Sequence, residues 1–285
     1  MTVPTADRKP SAIFNMDLTQ AITLGAVQGV TEFLPVSSTA HLILVPWLMG
    51  WADPGTEFDV ALHLGTLVAL ILYFRSEWFG LASAGLGWLR GDRTNPAGRL
   101  AAYIVIATIP GAVAGALFQK QIESTLRSPL IISITLVTLA LVLVLAERVG
   151  RRTVDLDHIS LGDSLTIGFA QALALVPGVS RSGVTITAGL FRGMTRQSAA
   201  RFSFFLSTPI IAGAVAKKFL DIARSGLPSN ETIPFVVGIL VSGIVGYLSI
   251  ALLIRYLSTH NTYVFIYYRI ALGILVFLAF LGGFR

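Results

Sequence analysis

The chain contains no cysteine, so a disulfide framework, a thiolate nucleophile and a cysteine-ligated metal centre are all excluded. Charge is scarce: 13% of residues are Asp, Glu, Lys or Arg, against about a quarter in an ordinary soluble domain. Four scattered histidines do not make a zinc cluster. No Walker loop, dinucleotide-binding glycine fingerprint or HExxH zinc motif occurs. Residues 1–16 lack the apolar core of a cleavable signal; with Pro4, Arg8, Lys9 and Pro10 they are expected to form a mobile tail.

What fills the chain is hydrocarbon. Hydrophobic residues make up 54% and the mean hydropathy is +0.76. The runs 130–146, 233–254 and 270–281 are nearly free of charge. A helix rising 1.5 Å per residue crosses a bilayer with roughly 17–25 apolar residues. Full spans are therefore expected at about 58–74, 99–118, 129–147, 197–222, 232–255 and 265–283. Continuous apolarity selects helices over a barrel, whose strands alternate polar and apolar residues. The fold class expected is an all-α polytopic membrane protein. The formal charge of +6, from 21 Lys and Arg against 15 Asp and Glu, gathers in connecting loops. That distribution fits contact with lipid headgroups, so membrane lipids and no nucleic acid are expected as partners.

Two further apolar stretches, about 17–50 and 164–194, are broken in the middle and are expected to be re-entrant helix pairs. One reads Gly25-Ala-Val-Gln28-Gly-Val-Thr-Glu32-Phe-Leu-Pro35-Val-Ser37-Ser38-Thr39, and the other Gly168-Phe-Ala-Gln171-Ala-Leu-Ala-Leu-Val-Pro177-Gly-Val-Ser180-Arg181-Ser182. In both, an apolar helix carrying a Gln ends at Pro and a hydroxyl-rich turn follows. Three spans follow each break, which divides one membrane domain, 17–285, into repeats of about 17–147 and 164–283. An odd number of spans inverts the second repeat relative to the first, a plan that brings broken helices together near mid-membrane. Arg75, Arg90, Arg93 and Arg99 in one connection, and Arg148, Arg151 and Arg152 in another, are expected on the cytoplasmic side. The first broken segment then opens outward, and the aromatic stretch 78–88 lies at the interface.

Polar groups are costly in hydrocarbon, so clusters of them mark candidate sites. Gln28 and Glu32, four residues apart, share a helix face. Pro35 ends that helix, and freed amides with the hydroxyls of Ser37, Ser38 and Thr39 can receive an anion. His41 follows Ser38 by three residues on the next helix. In the second cluster, Gly178 and Gly183 permit close approach, Arg181 can clamp a phosphate through two parallel hydrogen bonds, and Ser180, Ser182 and Thr185 add donors. For Asp59 and His63 structural and catalytic roles are equally open. Arg192, Arg196, Arg201 and Arg269 are expected to anchor loops or snorkel to the interface, Arg201 lying close enough to serve as a secondary phosphate contact.

At these residues the sequence resembles the undecaprenyl pyrophosphate phosphatase, or bacitracin-resistance, family. Gln28-Gly-Val-Thr-Glu32-Phe-Leu-Pro-Val-Ser-Ser38-Thr-Ala-His41 looks like the family's (E/Q)xxxE element with its serine and histidine extension, and Pro177-Gly-Val-Ser-Arg181-Ser-Gly-Val-Thr185 looks like PGxSRSxxT. Many members carry Glu where this chain has Gln28, which removes one metal ligand from the pattern. The resemblance implies hydrolysis of a polyprenyl diphosphate lipid to its monophosphate for reuse in cell-wall synthesis, at the outer side of the bacterial plasma membrane. It implies a divalent cation, Mg²⁺ or Ca²⁺, held by Glu32. Catalysis is then expected from Glu32, Ser38, His41 and Arg181, with Gln28, Ser37, Thr39, Ser180, Ser182 and Thr185 binding substrate. Ser38 is the candidate nucleophile with His41 as base or leaving-group acid; attack by a metal-bound water or by His41 itself stays open. So does a flippase or secondary transporter built on the same repeats, and a homodimer is admitted.

Overall fold

The computed structural model describes residues 16–225 and 231–283. The tail expected over 1–16 falls, but for Met16, outside the described residues. Eleven helices follow one another: α1 (Leu18–Phe33), α2 (Ser38–Met49), α3 (Gly55–Tyr73), α4 (Arg75–Leu89), α5 (Pro96–Thr125), α6 (Pro129–Val149), α7 (Leu161–Ala172), α8 (Arg181–Phe191), α9 (Arg196–Ser225), α10 (Thr232–Leu257) and α11 (Tyr263–Leu281). Among the described residues no strand forms, only an isolated bridge between Val154 and Met194. Six helices, α3, α5, α6, α9, α10 and α11, are long and apolar enough to cross a membrane. They coincide with the six expected spans to within a few residues. Their outer faces carry large exposed apolar side chains such as Val105, Leu252 and Leu275, which only a lipid surround makes stable. The protein is a multi-pass membrane protein.

The two broken segments are built by the same local rules. Asp17 opens α1 with a capping box closed by Gln20, and Ser160 opens α7 with one closed by Asp163. Each segment stops at a proline, which cannot donate to the helix and disfavours a helical residue before it; Leu34 before Pro35 and Val176 before Pro177 are both extended. Each then turns through a serine with positive φ, Ser37 at 78° and Ser180 at 68°, whose hydroxyl caps the following helix. A β-carbon in that region is strained, and the turn is the part of the chain where such strain is held.

A constant offset of 143 residues relates Asp17 to Ser160, Gly25 to Gly168, Gln28 to Gln171 and Ser37 to Ser180. The two glycines do equivalent work. A Cβ at Gly25 would strike the Gly238 carbonyl of α10, and one at Gly168 the Ala107 carbonyl of α5. Thus α1 seats on a long helix of the second half, and α7 on a long helix of the first. α3 and α9 also touch, and Phe33, Phe74, Phe204 and Phe205 pack edge-on into the core where the halves meet. This interlocking brings the two serine turns together at the centre. The 75–89 segment is a helix, packed on α5, with Arg93 set 3.5 Å over the Trp88 ring.

Candidate active site

Glu32 lies at the end of α1 with its carboxylate almost wholly buried. One oxygen, Oε2, accepts three hydrogen bonds or ion contacts: from Ser38 Oγ at 2.6 Å, Gln28 Nε2 at 3.0 Å and His63 Nε2 at 3.3 Å. The other, Oε1, faces Arg181 Nη1 at 3.9 Å. Glu32 and Arg181 therefore meet across the two halves, as the motifs anticipate. Their separation is too long for a hydrogen bond, and Arg181 Nη1 is buried without one. A guanidinium with an unused donor is prepared to receive an anion.

The histidines divide the work differently from expectation. His63 Nδ1 contacts the Asp59 carbonyl at 2.7 Å while Nε2 faces the Glu32 carboxylate. A carbonyl oxygen only accepts, so Nδ1 carries hydrogen. His41 points elsewhere. Its Nδ1 donates to Ser37 O and its Nε2 meets the Tyr268 hydroxyl, both at 2.7 Å, with the two rings stacked. Ser38 thus hydrogen-bonds to Glu32, whereas the partners of His41 are Ser37 and Tyr268.

The remaining residues fall into supporting and lining positions. Ser37 and Ser180 cap their helices at the Ala40 and Gly183 amides. Ser182 donates to Leu34 O at 3.0 Å, sewing the second turn to the first, and lies 3.2 Å from Ser180 Oγ. Thr185 is fully buried, bonded to Arg181 O and to Ser203 Oγ. Thr39 lines a cavity of about 150 Å³ together with Asp59, His63, Arg127, Pro177 and Arg181. Glu32 stands beside that lining, against His63 and Arg181, and Ser38 is hydrogen-bonded to it.

Arg269 does not snorkel. It is 1% exposed, and its guanidinium donates to the carbonyls of Pro35, Thr135, Leu136, Gly178 and Val179. The physical reason lies in the breaks themselves: at a proline turn, carbonyls lose their helical partners, and only the planar five-donor fork of arginine can satisfy several at once. Arg269 is consequently a staple through both turns. Arg269→Met is expected to leave the three turn carbonyls, of Pro35, Gly178 and Val179, bare at about 1–3 kcal/mol each before relaxation. The thermal unfolding midpoint in detergent should fall by roughly 10 °C, from about 3 kcal/mol at about 2–4 °C per kcal/mol. Arg201, also expected near phosphate, instead bonds Glu77 at 2.9 Å over the Phe74 ring; Arg192 pairs with Asp163 and Arg196 with buried Glu147. These tie helices together because a partly buried cation in an apolar bundle is stable only beside an acid. Asp59, His63 and the Arg127 that pairs with Asp59 are the site residues that sequence left unassigned. Asp and His one helical turn apart in an apolar span were a signal; Arg127, in a loop, gave none.

The donor set suits a hard cation. Two oxygens buried beside Glu32 and Arg127, Gln28 Oε1 and Asp59 Oδ1, have no hydrogen-bond partner among the described residues. Among the described residues no three His, Asp or Glu converge to hold an ion alone. Glu32 with Gln28 Oε1 fits an ion completed by phosphate oxygens, the usual arrangement for Mg²⁺. Gln28 has a consequence of its own: its amide donates to Glu32, where a second carboxylate would repel it.

A family model described as bacitracin resistance protein BacA matches residues 21–275. A relative from Moorella thermoacetica named undecaprenyl-diphosphatase is 50% identical over 266 residues, covering 93% of this chain and 98% of the relative. Proteins of the same name from Geobacter sulfurreducens and Desulforudis audaxviator are 47% and 49% identical, covering 90% of this chain and 96% and 95% of their own lengths.

Proposed function

The chain belongs to the bacitracin resistance protein family, and we propose that it hydrolyses undecaprenyl diphosphate to undecaprenyl phosphate and inorganic phosphate. The observation that carries this reading is the meeting of Ser38, Glu32 and Arg181, from two distant motifs, beside one cavity. Arg181 binds the terminal phosphoryl oxygens and neutralises the charge that grows on them. Ser38 Oγ attacks the terminal phosphorus as Glu32 takes its proton, and the bridging P–O bond breaks to release the lipid monophosphate. Water then attacks the phosphoseryl group, its hydrogens leaving with the inorganic phosphate, while Glu32 returns its proton to Ser38 Oγ as the Oγ–P bond breaks. His63 holds the Glu32 carboxylate in place throughout. A divalent cation, held by Glu32 and Gln28 Oε1 against the diphosphate, would supply further charge neutralisation.

The cavity lies at the C-terminal end of α5, where Ile122 and Arg127 line it, whereas Arg90 and Arg93 precede that helix and Arg99 lies in its first turn. Arg148 in the last turn of α6, with Arg151 and Arg152 after it, lies at the end remote from Arg127. The positive-inside bias then favours a cavity opening on the outer side of the bacterial plasma membrane. The 143-residue offset and three long apolar helices in each half support an inverted repeat with re-entrant broken pairs.

The test is phosphate release by purified protein from a long-chain prenyl diphosphate, with and without chelator. Release is expected, and chelation should lower it at least about tenfold, the loss of a few kcal/mol of charge stabilisation. Full turnover in chelator would remove the cation from the reading. Lipid movement across liposomes with no phosphate released would replace the phosphatase by a transporter.

A further inference from the structure

We propose that Arg127 is a second phosphate-binding residue of this cavity, held in reserve by Asp53 and Asp59 until a phosphoryl group displaces them. The inference rests on the phosphatase reading above and goes beyond it, because neither motif contains Arg127.

Arg127 sits in the connection between α5 and α6, and its side chain is 18% exposed. It bridges two acids. Nη2 reaches Asp53 Oδ2 at 3.0 Å, and Nη1 and Nη2 reach Asp59 Oδ2 at 3.3 and 3.4 Å. Charge-assisted bonds close at about 2.7–2.9 Å when geometry is good, so the guanidinium is shared loosely between its partners. Neither acid is fully committed to it: Asp53 is half exposed and also caps the Gly55 amide, while Asp59 Oδ1 is buried with no partner. The same guanidinium lines the cavity with Arg181, Thr39 and His63. Arginines thus approach the cavity from two elements, one at the α8 N-terminus and one on the opposite loop. The terminal phosphoryl group offers three oxygens, enough for the planar forks of both arginines. Exchanging these four carboxylate contacts of 3.0–3.4 Å for phosphoryl contacts costs little desolvation, because Arg127 is already largely withdrawn from water.

Two sources of that phosphoryl group are compatible with the chemistry: the distal phosphate of the lipid diphosphate and the free orthophosphate released from it. Three variants separate them, with steady-state kinetics on a long-chain prenyl diphosphate, competitive inhibition by orthophosphate, and the rise in thermal midpoint that orthophosphate alone produces. Arg127→Gln is expected to weaken orthophosphate inhibition about tenfold, one charged hydrogen-bonded contact, and to remove most of its thermal stabilisation. A parallel rise in KM adds the distal phosphate of the substrate; an unchanged KM confines Arg127 to the released phosphate. Asp53→Asn keeps the Gly55 cap but frees Arg127 from one competitor, so it should tighten orthophosphate a few-fold, opposite in sign to Arg127→Gln. A merely structural ion pair predicts the same sign for both. Orthophosphate affinity unchanged in Arg127→Gln, or weakened by Asp53→Asn, overturns the proposal. If Arg127→Gln fails to fold, Arg127→Lys, which keeps charge without the fork, and Asp53→Asn carry the same comparison. Wild-type protein that releases no phosphate would instead remove the phosphatase reading, and the orthophosphate thermal shift would still decide whether Arg127 binds.

Discussion

Arg181→Ala is expected to lower phosphate release by about a hundred- to a thousandfold, the range for deleting one preorganised donor aimed at developing charge. The protein should remain folded, because Glu32 keeps Ser38, Gln28 and His63 as partners when the arginine is gone. The loss should appear in kcat as well as in KM, since the negative charge on the transferring oxygens changes along the reaction. Arg181→Lys should recover only part of it: a point charge cannot reproduce the fork. The measurement is initial-rate phosphate release in detergent, with the thermal midpoint as control for folding. Near-normal turnover in a folded Arg181→Ala protein would take this residue out of the site.

Glu32→Gln should be about as damaging, with a fall of about a hundred- to ten-thousandfold, the contribution typical of a positioned general base. The substitution preserves shape while removing three things at once: the acceptor for the Ser38 proton, the countercharge of Arg181 and the partner of His63. Since Glu32 and Arg181 act on the same reacting group, their double variant should be little worse than either single one. Independent losses that multiply would mean that the two side chains serve separate steps. A Glu32→Gln protein with wild-type turnover would leave Ser38 without a base and end the mechanism proposed here.

Several elements were legible without coordinates because their causes are local. Six stretches announced themselves as spanning helices, since length and continuous apolarity suffice. The breaks at Pro35 and Pro177 were equally plain, because proline acts on its own residue and its immediate neighbour. Glu32, Ser38 and Arg181 stood out as polar groups where polarity is expensive. His41 was a weaker inference: three residues from Ser38 in sequence, it turns instead to Tyr268, a partner supplied by α11. Arg269 gives no such signal, for nothing near it in sequence tells that three carbonyls of the two turns converge on its position beside α6.

Amino-acid order alone therefore determined the solvent, the helices and the two places where helices stop, all of which follow from short-range sterics and transfer from water. Which acid meets which base was decided by the interlocking of α1 with α10 and α7 with α5, where glycines let backbones close to contact. Hydrogen bonds act over about 3 Å, and no local pattern specifies which distant residue will arrive within that distance. The pairing of Ser38 with Glu32, the seat of His63 and the reserve of Arg127 belong to the tertiary structure for that reason.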